Sequence, residues 1–174
     1  MGRIIMRDIY KPLEYSGGVD MGLNYLEQGV TESFAINMSP PYQRGHVWSE
    51  EQRRAFVGHV LVGGPVQPIV LNRVGRGSAG DSYEMLDGKQ RITSLLMWLR
   101  GEIRADIGGG LLLHRGDIAG RFPNELMIRF NFVSLSEIEV LRYYLRLNSA
   151  GTPHSAEELE RVRKLIDAAE KTER

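Results

Sequence analysis

The sequence contains no cysteine, which excludes disulfide bonds and zinc sites built from thiolates. It also lacks an excess of either charge, because 22 Lys and Arg residues balance 22 Asp and Glu residues. A strongly basic coat for nucleic acid is therefore excluded, and any contact with DNA must come from a local basic patch. No apolar run reaches the ~18 residues of a membrane span, and the first residues lack the apolar core of a secretory signal. We therefore expect a cytoplasmic protein without a membrane partner.

The composition is that of one folded domain. The chain has 174 residues, of which 42% are hydrophobic and 25% charged. A domain of this length buries roughly 70% of its unfolded surface, which is enough for one core. We interpret residues 1–32 as an N-terminal lead-in with a short helix over 19–28, and residues 33–174 as a single domain. The oligomeric state is left open, a homo-oligomer included.

Hydrophobic periodicity predicts an α+β domain with a small mixed sheet. Alternating or β-branched segments predict about four strands, of which the middle two form a hairpin, at 33–38, 68–74, 82–86 and 126–132. Apolar residues at helical spacing predict four or five flanking helices. The four longer ones are expected to begin at the capping residues Ser49, Asp87, Ser134 and Ser155. This mixed order is not that of a doubly wound sheet.

The strongest candidate for chemistry lies where a predicted strand leads directly into a helix through Asp87 and Gly88. The first turn of a helix has unpaired N–H groups that attract an anion, and a glycine lets a ligand approach the backbone. Lys89 and Arg91 add positive charges where the helix dipole disfavours them, which fits a bound phosphate. The alternative is a capping box formed by Asp87 and Gln90, which leaves the two cations unexplained.

A second candidate is the proline-rich loop before the predicted helix at Ser49. Tyr42 and Trp48 could stack on a base, while Gln43 and Arg44 could hydrogen-bond a phosphate or a base. The alternative is that the aromatic side chains close the edge of the core.

A third candidate is the connection between the last two predicted helices. Asn148 or Glu158 could lie around a metal–phosphate unit. The alternative is an ordinary helix–helix corner in which Gly151 adopts a left-handed conformation.

Several common enzyme motifs are absent from the sequence. It has no Gly-x4-Gly-Lys-Ser/Thr phosphate loop, no His-Glu-x2-His zinc motif and no Gly-x-Ser-x-Gly nucleophile elbow. Its four histidines show no metal-ligand spacing.

Together and in this order, the three segments resemble the N-terminal domain of GmrSD-type modification-dependent restriction endonucleases, which has the wider ParB/sulfiredoxin-like fold. The resemblance extends over residues 34–165. It rests on Pro-x-Tyr-Gln-Arg with a Trp four residues later, Pro-Ile, Asp-Gly-Gln-Gln-Arg and Leu-Asn-x2-Gly-x-Pro-Leu-Ser-x2-Glu, which correspond to residues 40–48, 68–69, 87–91 and 147–158. Here Lys89 replaces the usual first Gln, His154 the usual Leu, and Leu147 the Glu that precedes the Asn in ParB CTPases.

The resemblance implies a nucleotide-binding domain that hydrolyses a nucleoside triphosphate (NTP) with Mg²⁺ and acts in a DNA-directed restriction system. Its implied nucleotide-binding residues are Gly88, Lys89, Gln90, Arg91, Asn148 and Tyr42. Its implied catalytic residues are Asp87, Arg44 and Gln43, and its implied metal ligands are Asp87 and Glu158. No His-Asn-His-type nuclease module occurs in the sequence, so we do not expect this chain alone to cut DNA.

Two other functions remain open at this point. One is a non-catalytic regulator that binds DNA or protein, such as an anti-restriction protein. The other is a phosphotransferase on the same fold. Hydrolysis of the nucleotide, binding without turnover, and a phosphorylated acceptor distinguish the three.

Overall fold

The computed structural model describes residues 13–43, 45, 47–77, 80–147 and 156–172, and within these ranges the chain forms a mixed α+β domain. Its main sheet has five strands in the order β1-β7-β3-β4-β2. They are β1 (Gly17–Gly22), β2 (Ile36–Asn37), β3 (Ile69–Gly77), β4 (Gly80–Asp87) and β7 (Met127–Val133). A separate antiparallel pair consists of β5 (Ala105–Asp106) and β6 (Leu112–Leu113).

The sheet is mixed in direction. β1 runs antiparallel to β7, and β3 runs antiparallel to β4. β7 is parallel to β3, and the short β2 is parallel to β4. Because β2 and β4 run in the same direction, the segments that follow them leave the sheet at the same end.

The described residues contain four regular helices of two turns or more. These are α1 (Glu50–Leu61), α2 (Lys89–Leu99), α3 (Glu137–Leu147) and α4 (Ala156–Thr172). A helical segment follows β1 directly and consists of a 3₁₀ turn (Leu23–Tyr25), an α-helical turn (Leu26–Gln28) and a π-helical turn (Gly29–Ser33). A 3₁₀ turn, Arg115–Asp117, precedes β7. Each helix in the described part of the chain is too short or too polar to cross a membrane.

The capping residues explain where two of the helices begin. The Gln52 N–H donates to Ser49 Oγ (3.3 Å) and the Ser49 N–H donates to Gln52 Oε1 (2.8 Å), so the predicted capping box of α1 is confirmed. The cap expected at Ser134 is wrong. α3 instead begins after Ser136, whose N–H donates to Glu139 Oε2 (2.8 Å) while the Glu139 N–H donates to Ser136 Oγ (3.4 Å).

The sheet separates two apolar clusters. On one face, α1, α2 and the helical segment 23–33 pack against it, with Val57, Ile92 and Trp98 fully buried. On the other face, α3 and α4 cover Val70 and Leu86. The predicted α+β class and the predicted hairpin, here β3 and β4, are confirmed.

The N-terminal part of the described chain contributes to the same sheet and core. Residues 19–22, expected to be helical, form part of β1 and pair with β7 instead. The helical segment 23–33 buries Leu23, Leu26 and Val30 beneath the sheet. The strand expected over 33–38 is reduced to the two residues of β2.

Candidate functional site

The candidate site is centred on the junction between β4 and α2. Strand pairing continues to Asp87, which lies opposite Val70, and the chain then turns through Gly88 with a left-handed backbone (φ +101°). The predicted capping box of Asp87 and Gln90 is wrong, because Gly88 is the residue that caps α2. Asp87 belongs to the strand, and its carboxylate accepts a hydrogen bond from Arg91 instead.

The positive end of α2 carries no side-chain cap and no acidic residue in its first turn. The first intrahelical bond runs from the Ile92 N–H to the Gly88 carbonyl (3.0 Å). The N–H groups before it point away from the helix and have partial positive charge. This end of the helix therefore has the unpaired N–H groups and the partial positive charge on which the predicted anion site depends.

Lys89 lies inside the protein, with 9% of its surface exposed. Its Nζ donates to Ser39 Oγ (3.2 Å), in the segment that follows β2. Burial holds the pKa of the Lys89 ammonium below its usual range, because an apolar surrounding disfavours the charged form. A phosphate bound nearby would favour the charged form again.

Arg91 is held in one orientation by two neighbours. Its Nη2 donates to Asp87 Oδ2 (2.7 Å) and its Nη1 to the Gln67 carbonyl (2.7 Å). The Arg91 side chain is 12% exposed and the Asp87 side chain 42%. These bonds use two of the five N–H donors of a guanidinium. Arg91 thus joins the start of β3 to the end of β4, whatever else it binds.

The loop that follows β2 lies against this junction. Gln43 Nε2 donates to the carbonyls of Met85 (2.9 Å) and Leu86 (3.0 Å), and Gln90 Nε2 donates to the Gly45 carbonyl (3.1 Å). The structure therefore brings Gln43 and the first turn of α2 together, although they are far apart in sequence. The Gln43 carboxamide nitrogen is engaged by the backbone of β4, which gives this side chain a structural role as well.

Tyr42 does not have the position expected for base stacking. It is 5% exposed, and its ring packs against Tyr144 at a centroid distance of 5.4 Å. Its hydroxyl donates to Glu84 Oε2 (3.2 Å) and approaches the Met85 carbonyl (3.4 Å). Burial and the neighbouring Glu84 carboxylate raise the pKa of Tyr42 well above its usual range. The structure favours the alternative in which this ring closes the edge of the core, because both the ring and the hydroxyl are engaged inside the protein.

Trp48 also packs within the protein. Its ring meets Phe56 at a centroid distance of 5.3 Å in an edge-on arrangement. The packing interpretation of the loop aromatics is therefore the one that the structure favours.

Sequence reasoning missed two residues near this region, Arg161 on α4 and Tyr143 on α3. Arg161 Nη2 donates to the Gln43 carbonyl (3.2 Å), so α4 contacts the loop. Burial first, and then the nearby Tyr15 and Asp87, raise the pKa of Tyr143 on α3. Neither residue is part of one of the four motifs, so no pattern in the sequence marks them.

Of the remaining predicted site residues, Glu158 is among the described residues, whereas Arg44 and Asn148 are not. Glu158 is half-buried in the first turn of α4, three residues before Arg161 and therefore on the same helix face. Among the residues that are described, no group of three or more His, Asp and Glu could by itself hold a metal ion. Asp87 and Glu158 remain candidate ligands for a metal that a nucleotide would help to hold.

Comparisons with known proteins agree with the motifs. The model of the family described as GmrSD restriction endonuclease, N-terminal domain, matches residues 26–131. This range includes the loop after β2 and the whole β4–α2 junction, which confirms the resemblance found from the sequence. No match was found among curated proteins.

One solved structure is similar in outline. It is the C-terminally truncated chromosome-partitioning protein ParB from Caulobacter crescentus complexed with CTP-gamma-S. The two overlap with a TM-score of 0.45 at 14% sequence identity. The comparison covers 91% of this chain but only 66% of that one.

Proposed function

This chain belongs to the family of GmrSD restriction endonuclease N-terminal domains, and from that premise we propose that it binds a nucleoside triphosphate at the β4–α2 junction and hydrolyses it with Mg²⁺. The observation that carries this proposal is the uncapped N-terminus of α2, with Gly88 in a left-handed conformation and two cations in the first turn. In the restriction system, turnover of the nucleotide would accompany an action directed at DNA.

The phosphates fit this place for electrostatic reasons. The N–H groups that begin α2 offer directed hydrogen bonds. Position 88 has room only for glycine, because a Cβ there would collide with Ile69. An anion beside Lys89 would stabilise the charged ammonium form of its side chain. Arg91 adds a planar donor that matches phosphate geometry.

The polar residues around the junction supply the other parts of the proposal. Asp87, partly exposed at the end of β4, and Glu158, on α4, would hold Mg²⁺ together with phosphate oxygens. The ion would neutralise charge on the phosphates and orient them. Gln43 lies beside β4, with its Nε2 fixed by two carbonyls, and its Oε1 would orient a water molecule. Arg44 and Asn148 are proposed as further contacts to the nucleotide.

The direct test is a thermal melting panel of the protein with ATP, GTP, CTP and UTP, with and without Mg²⁺. A nucleotide at 100 times its Kd should stabilise the protein by about 2.7 kcal/mol. Release of inorganic phosphate, measured on the same samples, distinguishes hydrolysis from binding without turnover. The absence of any shift with all four nucleotides would refute the proposal.

Arg91→Ala tests the phosphate role separately from the structural one. Loss of charge-assisted bonds to a phosphate should raise the Kd by roughly 30- to 150-fold, which corresponds to about 2–3 kcal/mol. Arg100→Ala is the matched control, because Arg100 lies at the other end of α2 and pairs with Glu27 (2.6 Å). An Arg91→Ala protein that melts much lower but binds nucleotide normally would show that Arg91 only supports the fold.

A further inference from the structure

Arg161, on α4, makes a contact to which the proposed hydrolysis assigns no role. Its Nη2 donates to the Gln43 carbonyl (3.2 Å), and Gln43 is the residue proposed to orient a water molecule. Arg161 is exposed and forms no ion pair with an acid in the described part of the chain. Arg163, on the same helix, instead pairs with Glu160 (3.8 Å). The two arginines therefore differ in what they hold, and only Arg161 binds the loop that follows β2.

The core fixes α4 beside this loop. Val162, the next residue after Arg161, is 1% exposed and belongs to one apolar cluster with Leu86 of β4 and Tyr42 of the loop. Because Val162 is anchored in this cluster, the backbone of Arg161 cannot move away from the end of β4 without exposing apolar surface to water. Arg161 therefore holds the loop from a helix whose own position is set by the core.

The hydrogen bonds of Gln43 leave one of its polar atoms for a ligand. Its N–H donates to the Pro40 carbonyl (2.9 Å), and its carbonyl accepts from Arg161. Its Nε2 donates to two carbonyls at the end of β4. Among the described residues, none donates to Gln43 Oε1. β4 fixes the end of the side chain and Arg161 fixes its main chain, so the direction in which Oε1 points depends on both.

We propose that Arg161 is a positioning residue for the hydrolysis and that it acts through Gln43. This inference rests on the proposed function, in which Gln43 Oε1 orients a water molecule. The Arg161 guanidinium fixes the Gln43 peptide, and the fixed peptide directs the carboxamide oxygen toward the attacking water. A misplacement of about 1 Å can cost roughly 100-fold in rate, so a bond that does not touch the nucleotide can still determine turnover. Loss of this bond should therefore affect the chemical step rather than binding.

The first arm of the test measures phosphate release and nucleotide binding with the full chain. Arg161→Ala should lower kcat by roughly 10- to 100-fold and leave the Kd within about twofold of the wild-type value, because only the placement of Gln43 is lost. Arg161→Lys should restore part of kcat, since an ammonium can also donate to the carbonyl. Arg163→Ala is the matched control and should leave both constants unchanged. Equal kcat values for Arg161→Ala and Arg163→Ala would overturn the inference.

A double-mutant cycle tests whether Arg161 acts through Gln43. Gln43→Ala removes Oε1 but keeps the main-chain carbonyl that Arg161 binds. In that background Arg161→Ala should lower kcat little further, because there is no longer a carboxamide to position. Melting curves of each variant confirm that it is folded. The same fold-loss from Arg161→Ala in both backgrounds would overturn the inference.

The second arm needs no nucleotide. In the free protein, the Gln43 amide should exchange its hydrogen faster in Arg161→Ala than in the wild type or in Arg163→Ala, because the bond between the loop and α4 is lost. Unchanged exchange of the Gln43 amide would overturn the inference. If exchange were faster in Arg161→Ala while the wild type released no phosphate from any nucleotide, the contact would be upheld and the proposed hydrolysis refuted instead.

Discussion

Gly88→Ala should destabilise the protein for two separate reasons. The left-handed backbone at position 88 (φ +101°) is one that residues with a side chain adopt at a cost of roughly 1–2 kcal/mol. An added Cβ would also collide with Ile69 Cδ1 and lie 3.3 Å from Ile69 Cγ2. Because Ile69 is fully buried, relieving this overlap costs about 1–3 kcal/mol more.

The expected total is about 2–5 kcal/mol, which lowers Tm by roughly 4–20 °C for a domain of this size. Urea denaturation followed by circular dichroism measures the free energy of unfolding directly. Gly63→Ala is the matched control. Gly63 also has a left-handed backbone (φ +84°), but a Cβ there meets nothing within 4 Å, so only the conformational part should be lost.

A double-mutant cycle isolates the steric part. Ile69→Val removes the Cδ1 atom and costs about 0.5–1.5 kcal/mol in the wild-type background. In the Gly88→Ala background the same change should cost less or even stabilise, because it removes the collision. If Gly88→Ala cost no more than Gly63→Ala and showed no coupling to Ile69→Val, the close packing of the β4–α2 turn on β3 would be wrong.

Three further predictions concern the loop and the surface. Gln43→Ala removes one hydrogen-bond donor from each of the Met85 and Leu86 carbonyls and should cost about 1–3 kcal/mol in urea denaturation. A cost below about 0.5 kcal/mol would show that the loop is not held there. The raised pKa of Tyr42 contributes to the free energy of unfolding. This contribution is fully present below pH 10, where the Tyr42 phenol is protonated in both the folded and the unfolded chain. That stability is lost as the pH rises above 10 toward the folded pKa, so Tyr42→Phe should flatten the alkaline fall in unfolding free energy. For DNA binding, log K should fall by roughly 0.9 per tenfold rise in salt concentration for each phosphate neutralised, and only a few phosphates should be contacted. Many of the described arginines are paired with acids. A salt slope that implied ten or more contacts would contradict this.

Local sequence patterns were sufficient to predict the elements whose formation depends on residues close together in the sequence. The β3–β4 hairpin follows from a β-branched, apolar run that is separated from a second short strand by a glycine-rich turn, and the start of α1 follows from the Ser49 capping box. The resemblance to a known family, and not a local pattern, linked the loop to the end of β4, because it implied nucleotide-binding residues in both. Those motifs identified the junction before any geometry was known.

Elements that depend on distant partners were missed for a physical reason. β1 contains three glycines and has little intrinsic preference for a strand, so it becomes one only because β7 pairs with it. The spacing of Asp87 and Gln90 fits a capping box, but pairing with Val70 keeps Asp87 in the strand and Arg91 engages its carboxylate. The Ser39–Lys89 pair joins residues 50 positions apart, a contact that no local pattern contains.

These long separations have a consequence for the order of folding. The hydrogen bonds that hold the loop on β4 and α2 join residues 42, 45 and 50 positions apart, with α1 and β3 between them. Closing loops of that length costs chain entropy that is recovered only once such distant contacts form, whereas the hairpin and α1 form from near neighbours. The loop should therefore close after the elements that it covers, and it should open before they do. Amide hydrogen exchange would detect this as a segment around Gln43 and Gly45 that exchanges faster than β3 and β4, a local opening that admits a ligand without unfolding the sheet.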